Sequence, residues 1–204
     1  MACVGRDILI IYISTDYVFA GKLGEAPYEA DAAAKPTNFY GYTKLSGELA
    51  ITRTTGDLGV ILRVPVLYGE ADNNSESAIN VLLDSVRKAQ EKDVQIQMDD
   101  WAQRYPTNTE DVARVIQDIA YRYSFSDNSL PQILQFSSQD KYTKYEICEM
   151  FADILGLPLD GIEPNKQGND LEWPVRRPYD THLSTSALEE IGIPVWTQNF
   201  KDWW

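Results

Sequence analysis

Two short segments of the chain carry residue types that can move a proton. Ile13-Ser14-Thr15-Asp16-Tyr17-Val18-Phe19 closes an apolar run, and Asn38-Phe39-Tyr40-Gly41-Tyr42-Thr43-Lys44 opens a stretch rich in helix formers. On a helix, Tyr40 and Lys44 stand at i and i+4 and share one face. An ammonium beside a phenol favours the phenolate and lowers the tyrosine pKa. A hydroxyl from Ser14 or Thr15 could then hydrogen-bond the same substrate oxygen. Such a trio delivers a proton to a carbonyl while a nicotinamide delivers hydride. Taken singly, each piece has a plainer use. A Tyr and a Lys four apart occur by chance in many helices, and Ser-Thr-Asp after a strand often caps or turns the chain. Their order, with a strand in front, makes the combination more specific.

The elements that must position these residues follow from periodicity. Ile8 to Ile13 is short, continuous and β-branched, so it predicts a strand buried on both faces, as in a parallel sheet. Ala20 to Asn38 is a loop rich in Gly, Pro and Ala, and Tyr40 to Arg53 is predicted helical. Gly59 to Val64 is a second buried strand, ended by Pro65. Ser75 and Ser77 can cap a helix with the stripe Ile79, Leu82, Leu83 and Val86. Val94 to Met98 alternates like a half-buried strand. Thr107 or Thr109 opens a helix through Val112, Val115, Ile116 and Ile119. Gln132 to Phe136 is a strand, and Thr143 to Leu155 is a helix stopped by Gly156 and Pro158. Asp160 to Thr181 is polar and irregular, and Ser184 to Ile191 is a last short helix. Alternating strands and helices predict an α/β protein with a mainly parallel sheet. Residues 1–70 read as the C-terminal part of a Rossmann-type sheet domain. Residues 71–204 read as a smaller mixed α/β lobe for substrate or interaction, interleaved with the sheet domain.

Composition narrows the function classes. The chain has 204 residues, with 18 Lys and Arg against 31 Asp and Glu, for a net charge of −13. That acidity argues against a broad nucleic-acid footprint or an anionic membrane surface. Two cysteines, Cys3 and Cys148, cannot build a disulfide framework and point to a reducing compartment. A single histidine, His182, excludes the usual zinc constellations, so no metal site is expected. No apolar run approaches the ~20 residues of a membrane span, and the first residues lack the pattern of a signal peptide. Cytoplasm is the default location, with the nucleus open.

The ordered motifs carry a resemblance. Ser14 to Phe19, followed by Pro36-Thr37-Asn38-Phe39-Tyr40-Gly41-Tyr42-Thr43-Lys44-Leu45-Ser46-Gly47-Glu48, resembles the extended short-chain dehydrogenase/reductases of the dTDP-4-dehydrorhamnose reductase type. Within them, further stretches look closer to the regulatory β subunits of methionine adenosyltransferase. These are Leu62 to Glu70, Glu76-Ser77-Ala78, Met98 to Thr107, Thr143 to Glu146, Arg177-Pro178, Leu183, and Leu188 to Ile193. Trp101 to Thr107 is the most specific of them. The resemblance implies Thr15, Tyr40 and Lys44 as a reductase-like set, and Tyr40, Lys44 and Leu67 as residues meeting the nicotinamide end of NADP(H).

Two departures qualify it. The sugar-nucleotide reductases carry a substrate-contacting tryptophan where this chain has Val66, so a rhamnose-reductase pocket is not expected. The family also opens with Gly-x-x-Gly-x-x-Gly, which seats the cofactor pyrophosphate on a helix N-terminus. This chain has no such motif, and Gly21 and Gly24 follow the wrong strand. By resemblance roughly 100 residues, three or four βα units, are expected ahead of the first strand in a full-length form. NADP(H) is accordingly expected as a ligand of that full-length form, and weakly or not at all for this chain.

The functional expectation is a regulatory subunit without catalysis of its own. It would bind the catalytic methionine adenosyltransferase subunit and act in S-adenosylmethionine synthesis. The alternative is an NADPH-dependent sugar-nucleotide reductase using the Thr15, Tyr40 and Lys44 set. Other residues read plainly: His182 as a surface or packing residue rather than a base, Cys148 as core, Cys3 as a disordered thiol, and Asp99-Asp100 as solvent-facing acids. Arg176-Arg177 could hold a phosphate or carboxylate. Trp203 and Trp204 either cap the body or, with Phe200, anchor a tail in the partner.

Overall fold

Buried polar groups organise the sheet as much as apolar ones do. The computed structural model describes residues 3–126, 129–169 and 176–204. Strand β1 is Ile10–Thr15, helix α1 is Phe39–Thr55 and strand β2 is Gly59–Val64. Then come β3 (Leu67–Tyr68), α2 (Val81–Lys88), β4 (Ile96–Asp99), β5 (Thr107–Asn108) and α3 (Thr109–Phe125). The chain continues through β6 (Ile133–Gln135), α4 (Lys144–Leu155), β7 (Ile162–Asn165), α5 (Ser186–Glu190) and α6 (Phe200–Trp203). Strands β1, β2 and β6 form one sheet in that order, parallel throughout. Two smaller parallel pairs, β3 with β5 and β4 with β7, lie outside it. The α/β class with parallel sheets is as expected from the alternation of periods.

Local chemistry sets the helix ends. Asn38 Oδ1 accepts the Gly41 N–H at 2.9 Å to start α1, and Asn108 Oδ1 accepts the Glu110 N–H at 2.8 Å to start α3. Thr143 and Glu146 form a reciprocal capping box on α4, which Gly156 ends with a left-handed φ of 64°. Gly41 lets α1 approach the preceding loop, because a Cβ there would lie 2.2 Å from the Tyr17 carbonyl oxygen.

Glu48 and Arg63 knit these layers together. Both are nearly fully buried, and their side chains meet through two bonds, Nη2 to Oε2 at 2.8 Å and Nε to Oε1 at 2.9 Å. Ser14 Oγ donates to the same carboxylate at 2.5 Å, while Arg63 Nη1 donates to the Gln135 side chain at 3.3 Å and the Ala30 carbonyl at 3.1 Å. One ion pair therefore links α1, all three strands of the sheet and the loop before α1.

Apolar residues sort into two main cores. Val60, Leu62 and Val64 of β2 pack with Val112, Val115 and Ile119 of α3, with Leu134 and Phe136, and with Leu188, Ile191 and Ile193. A second core joins Tyr68, Ile79, Leu82, Val86, Ile147, Cys148, Phe151 and Phe200.

Several expectations need correction. The first strand starts at Ile10 rather than Ile8, and Ile10 to Ile13 are only half-buried. Among the described residues β1 pairs with β2 alone, so its apolar run is covered on fewer sides than a central strand. Ile79 precedes α2 rather than sitting in it, because Ser77 Oγ accepts the Ile79 and Asn80 N–H groups in a turn. Strands β3 and β5, of two residues each, are too short to leave a periodic signal. Strand β7 falls in the stretch expected to be irregular, of which residues 170–175 lie outside the described residues. Cys3 is half-buried, and its carbonyl accepts the Arg6 and Ile8 N–H groups, so the expectation of disorder fails.

The aromatic tail packs on the body of the chain, the first of the two alternatives for Trp203 and Trp204. Phe200 is fully buried, with its ring 4.8 Å from Tyr68, and Trp204 packs 4.6 Å from Phe151. The tail closes the second core because Tyr68, Phe151 and Phe200 leave an aromatic seat for the two tryptophans.

Two substitutions test these packings. Arg63→Met leaves Glu48 buried without its partner and should cost about 3–5 kcal/mol in urea unfolding. Phe200→Ala should cost about 3–5 kcal/mol by the same measurement. A loss below about 1 kcal/mol for Phe200→Ala would return the tail to the surface.

Candidate active-site cavity

The carboxyl ends of β1 and β2 open into a cavity of about 390 Å³. Its lining includes Thr15, Tyr40, Lys44 and Leu67, the four residues singled out in the sequence. Strand β1 delivers Ser14 and Thr15, α1 delivers Tyr40 and Lys44 on one face, and the turn after β2 delivers Pro65 to Leu67. Outside the carboxyl ends of parallel strands is where open α/β sheets bind ligands.

Each side chain is held differently. Lys44 Nζ donates to the Ile13 carbonyl at 2.9 Å and lies 5.3 Å from the Tyr12 ring centre. Tyr40 is about half exposed, and its ring meets that of Tyr17 edge-on at 6.0 Å. Thr15 Oγ1 donates to Asp16 at 3.0 Å and accepts the Tyr17 N–H at 3.3 Å. Both strand-end hydroxyls are thus engaged, Ser14 with Glu48 and Thr15 with Asp16. Asp16 is buried and also accepts from Thr181 at 2.5 Å. Burial pushes its carboxyl above the ordinary carboxylate range, partly opposed by the Thr181 bond. Val66 also lines the cavity.

The far wall holds residues that the motif reading did not single out as site residues. Arg104 is buried and lies 3.9 Å from Asp99, its guanidinium 5.8 Å from the Tyr17 ring centre. Arg177 pairs with the same Asp99 at 2.9 Å. Lys144, the first residue of α4, completes this wall. Both Arg104 and Lys144 lie in stretches quoted for the resemblance, but neither has a spacing that marks a site. Asp99 and Asp100 are not solvated acids. Asp99 binds the two arginines and accepts the Trp101 and Ala102 N–H groups, and Asp100 accepts from Thr143 and pairs with Lys166.

Outside the cavity the plain readings hold. His182 stacks on Tyr105 at 4.0 Å, and burial holds its pKa below the ordinary value, partly opposed by Asp180. Cys148 is core, and burial pushes its thiol up to about 12. Arg176 is exposed and does not join this cavity's lining, but with Arg177 it lines a neighbouring cavity beside Trp101 and Tyr179. Among the described residues no group of three or more His, Cys, Asp or Glu could hold a metal ion, and no helix is long and apolar enough to cross a membrane.

A parallel sheet with a Thr at a strand end and a Tyr-x-x-x-Lys helix across it has the arrangement of a Rossmann-type fold. The family model described as the RmlD substrate binding domain matches residues 1–203, and the chain belongs to that family. It is 39% identical to methionine adenosyltransferase 2 subunit beta of Xenopus tropicalis, over 93% of this chain and 54% of that protein. The subunit of the same name from Danio rerio is also 39% identical, over 95% of this chain and 57% of its own length. The chain thus spans about half the length of the curated relatives it matches. The dTDP-4-dehydrorhamnose reductase of Bacillus anthracis, solved in complex with NADP, superposes with a TM-score of 0.80 at 19% identity. That match covers 98% of this chain and 65% of the reductase, and shows the shared fold.

Two measurements check the buried groups. Since the folded pKa of His182 is depressed, its contribution is fully present above the unfolded value near 6.5. It is lost as pH falls from there through the lower folded value. Stability measured between pH 8 and pH 5 should therefore fall in the wild type and fall less in His182→Phe, which keeps the stack on Tyr105. With its pKa near 12, Cys148 should stay unreactive toward a thiol reagent at pH 8 until the chain unfolds.

Proposed function

We propose that this chain is part of a non-catalytic regulatory subunit of methionine adenosyltransferase, acting in S-adenosylmethionine synthesis and one-carbon metabolism. The observation that carries the reading is the 39% identity to such subunits across 93% of the chain. Val66 supports it, because the cavity lacks the tryptophan that a sugar-nucleotide pocket of the reductase type would present. The partner is the catalytic methionine adenosyltransferase subunit, in the cytoplasm. Neither nucleic acid nor membrane is a partner, in keeping with the charge of −13.

NADP(H) is the cofactor of the full-length form on this reading. In this chain Tyr40 and Lys44 suit its nicotinamide ribose, and Leu67 suits one side of the ring. NADP(H), when bound, supplies hydride. The residues present fit that end of the molecule only, since no Gly-x-x-Gly-x-x-Gly turn exists here to seat a pyrophosphate. Lys44 is anchored by the Ile13 carbonyl, so it can hold a hydroxyl-bearing ligand against Tyr40 without moving.

The second reading, an active reductase, is favoured by one observation: Thr15, Tyr40 and Lys44 line a single cavity. In that reading Tyr40 is the proton donor, Lys44 its electrostatic support and Thr15 a hydrogen-bond donor to the substrate oxygen.

Three outcomes separate these. A form carrying these 204 residues should co-purify with a methionine adenosyltransferase and change its kinetics. Failure of both would overturn the regulatory reading. NADPH oxidation with dTDP-4-keto sugars should not exceed that of a Tyr40→Phe control; turnover that Tyr40→Phe abolishes would instead establish the reductase. The 204-residue chain alone should bind NADP(H) with a constant weaker than micromolar by calorimetry, because several charge-assisted contacts of ~1.5–3 kcal/mol each have no residues to make them.

A further inference from the structure

The far wall of the cavity has a chemistry that neither a nicotinamide nor a neutral sugar would use. Arg104 is brought there by backbone pairing: its N–H donates to the Tyr142 carbonyl at 2.8 Å, and its carbonyl accepts the Tyr142 N–H at 2.9 Å. Two residues beyond Tyr142, Lys144 starts α4. The Arg104–Tyr142 bridge thus fixes a guanidinium and an ammonium against the same cavity. Lys144 is half-buried and has no hydrogen-bond or ion-pair partner among the described residues. Burial, with Arg104 and Arg177 nearby, holds its amine below the ordinary lysine range. Such an amine is relieved by an anion placed beside it. Arg104 has Asp99 at 3.9 Å, longer than a charge-assisted hydrogen bond, and that carboxylate is held at 2.9 Å by Arg177. The wall therefore sets three cations, Arg104, Lys144 and Arg177, against the carboxylate of Asp99, with Arg104 Nη1 also donating to the Gln103 carbonyl at 2.8 Å. Tyr17 continues the line toward the reactive end, under the Arg104 guanidinium and edge-on to Tyr40.

We infer that this cavity binds a compact small molecule bearing a phosphate or carboxylate group, with the anionic group on Arg104 and Lys144 and its uncharged end toward Tyr40. The volume of about 390 Å³ sits at the low end for ligand pockets, which suits a small metabolite. A neutral hexose placed here would leave the buried Arg104 and the half-buried Lys144 facing carbon and hydroxyl groups. An anion would satisfy both through short charge-assisted bonds. The inference does not rest on the regulatory reading, because its test contains neither a methionine adenosyltransferase nor a nicotinamide nucleotide.

The test is calorimetric titration of the 204-residue chain with inorganic phosphate, with pyrophosphate and with citrate, at fixed ionic strength. One site is expected for at least one of these anions. Lys144→Gln should weaken it by about tenfold or more, the loss of one charge-assisted contact. Lys144 has no partner to strand, so this variant should keep the wild-type melting midpoint. Arg104→Lys, which retains the charge but not the planar fork, should also weaken binding. Lys166→Gln serves as the surface control and should leave affinity unchanged. Preference for the phosphates or for citrate would name the anionic group. No binding of any of the three anions overturns the inference, and so does equal binding by the wild type and Lys144→Gln. A loss in Lys166→Gln as large as in Lys144→Gln also overturns it, since binding would then follow general surface charge.

Discussion

The buried Glu48–Arg63 pair is the constraint on which the rest of the structure depends. A carboxylate and a guanidinium out of water are each costly, and further hydrogen bonds to both offset that cost. Ser14 shares the Glu48 carboxylate, and Gln135 and the Ala30 carbonyl take the remaining Arg63 donor. This network fixes the rotation of α1 about its own axis. Glu48 lies one turn beyond Lys44 and two beyond Tyr40, so pinning Glu48 inward turns Lys44 toward the carboxyl end of β1. Gly41 then allows the helix to sit close to the Tyr17 carbonyl. The position of the Tyr–Lys pair is thus a consequence of an ion pair that does no chemistry.

The same logic explains why two hydroxyls in adjacent positions have different uses. Alternation along β1 sends Ser14 and Thr15 to opposite faces. Ser14 donates to Glu48 and Thr15 to Asp16, and both line the cavity. In the second core the aromatic residues Tyr68, Phe151, Phe200, Trp203 and Trp204 replace what a longer apolar helix would supply. Large rings fill volume with few backbone residues. The cavity lies where these two cores meet, with β1, β2 and α1 on one wall and Arg104, Lys144 and Arg177 on the other. The first wall carries Thr15, Tyr40 and Lys44, and the second concentrates the positive charge of Arg104, Lys144 and Arg177.

Much of this was legible in the residues. The sequence alone determined the α/β class and the main helices, and it put Tyr40 and Lys44 on one helix face with Ser14 or Thr15 at a strand end, because these depend on local spacing: a period of 3.6 or 2, a cap, and an i, i+4 pair; Leu67 was named only by the family resemblance. It also determined the core role of Cys148, since apolar neighbours leave few other uses. Tertiary structure alone decided the start of β1, because edge and central strands share the same residues and differ only in what covers them. It decided that Asp99 is buried between two arginines rather than solvated, and that the tryptophan tail closes a core. It also decided that Arg104 and Lys144, 40 residues apart in the chain, face one cavity. Each of these depends on contacts between segments distant in sequence, where no periodicity or spacing carries a signal and only the folded packing brings the partners together.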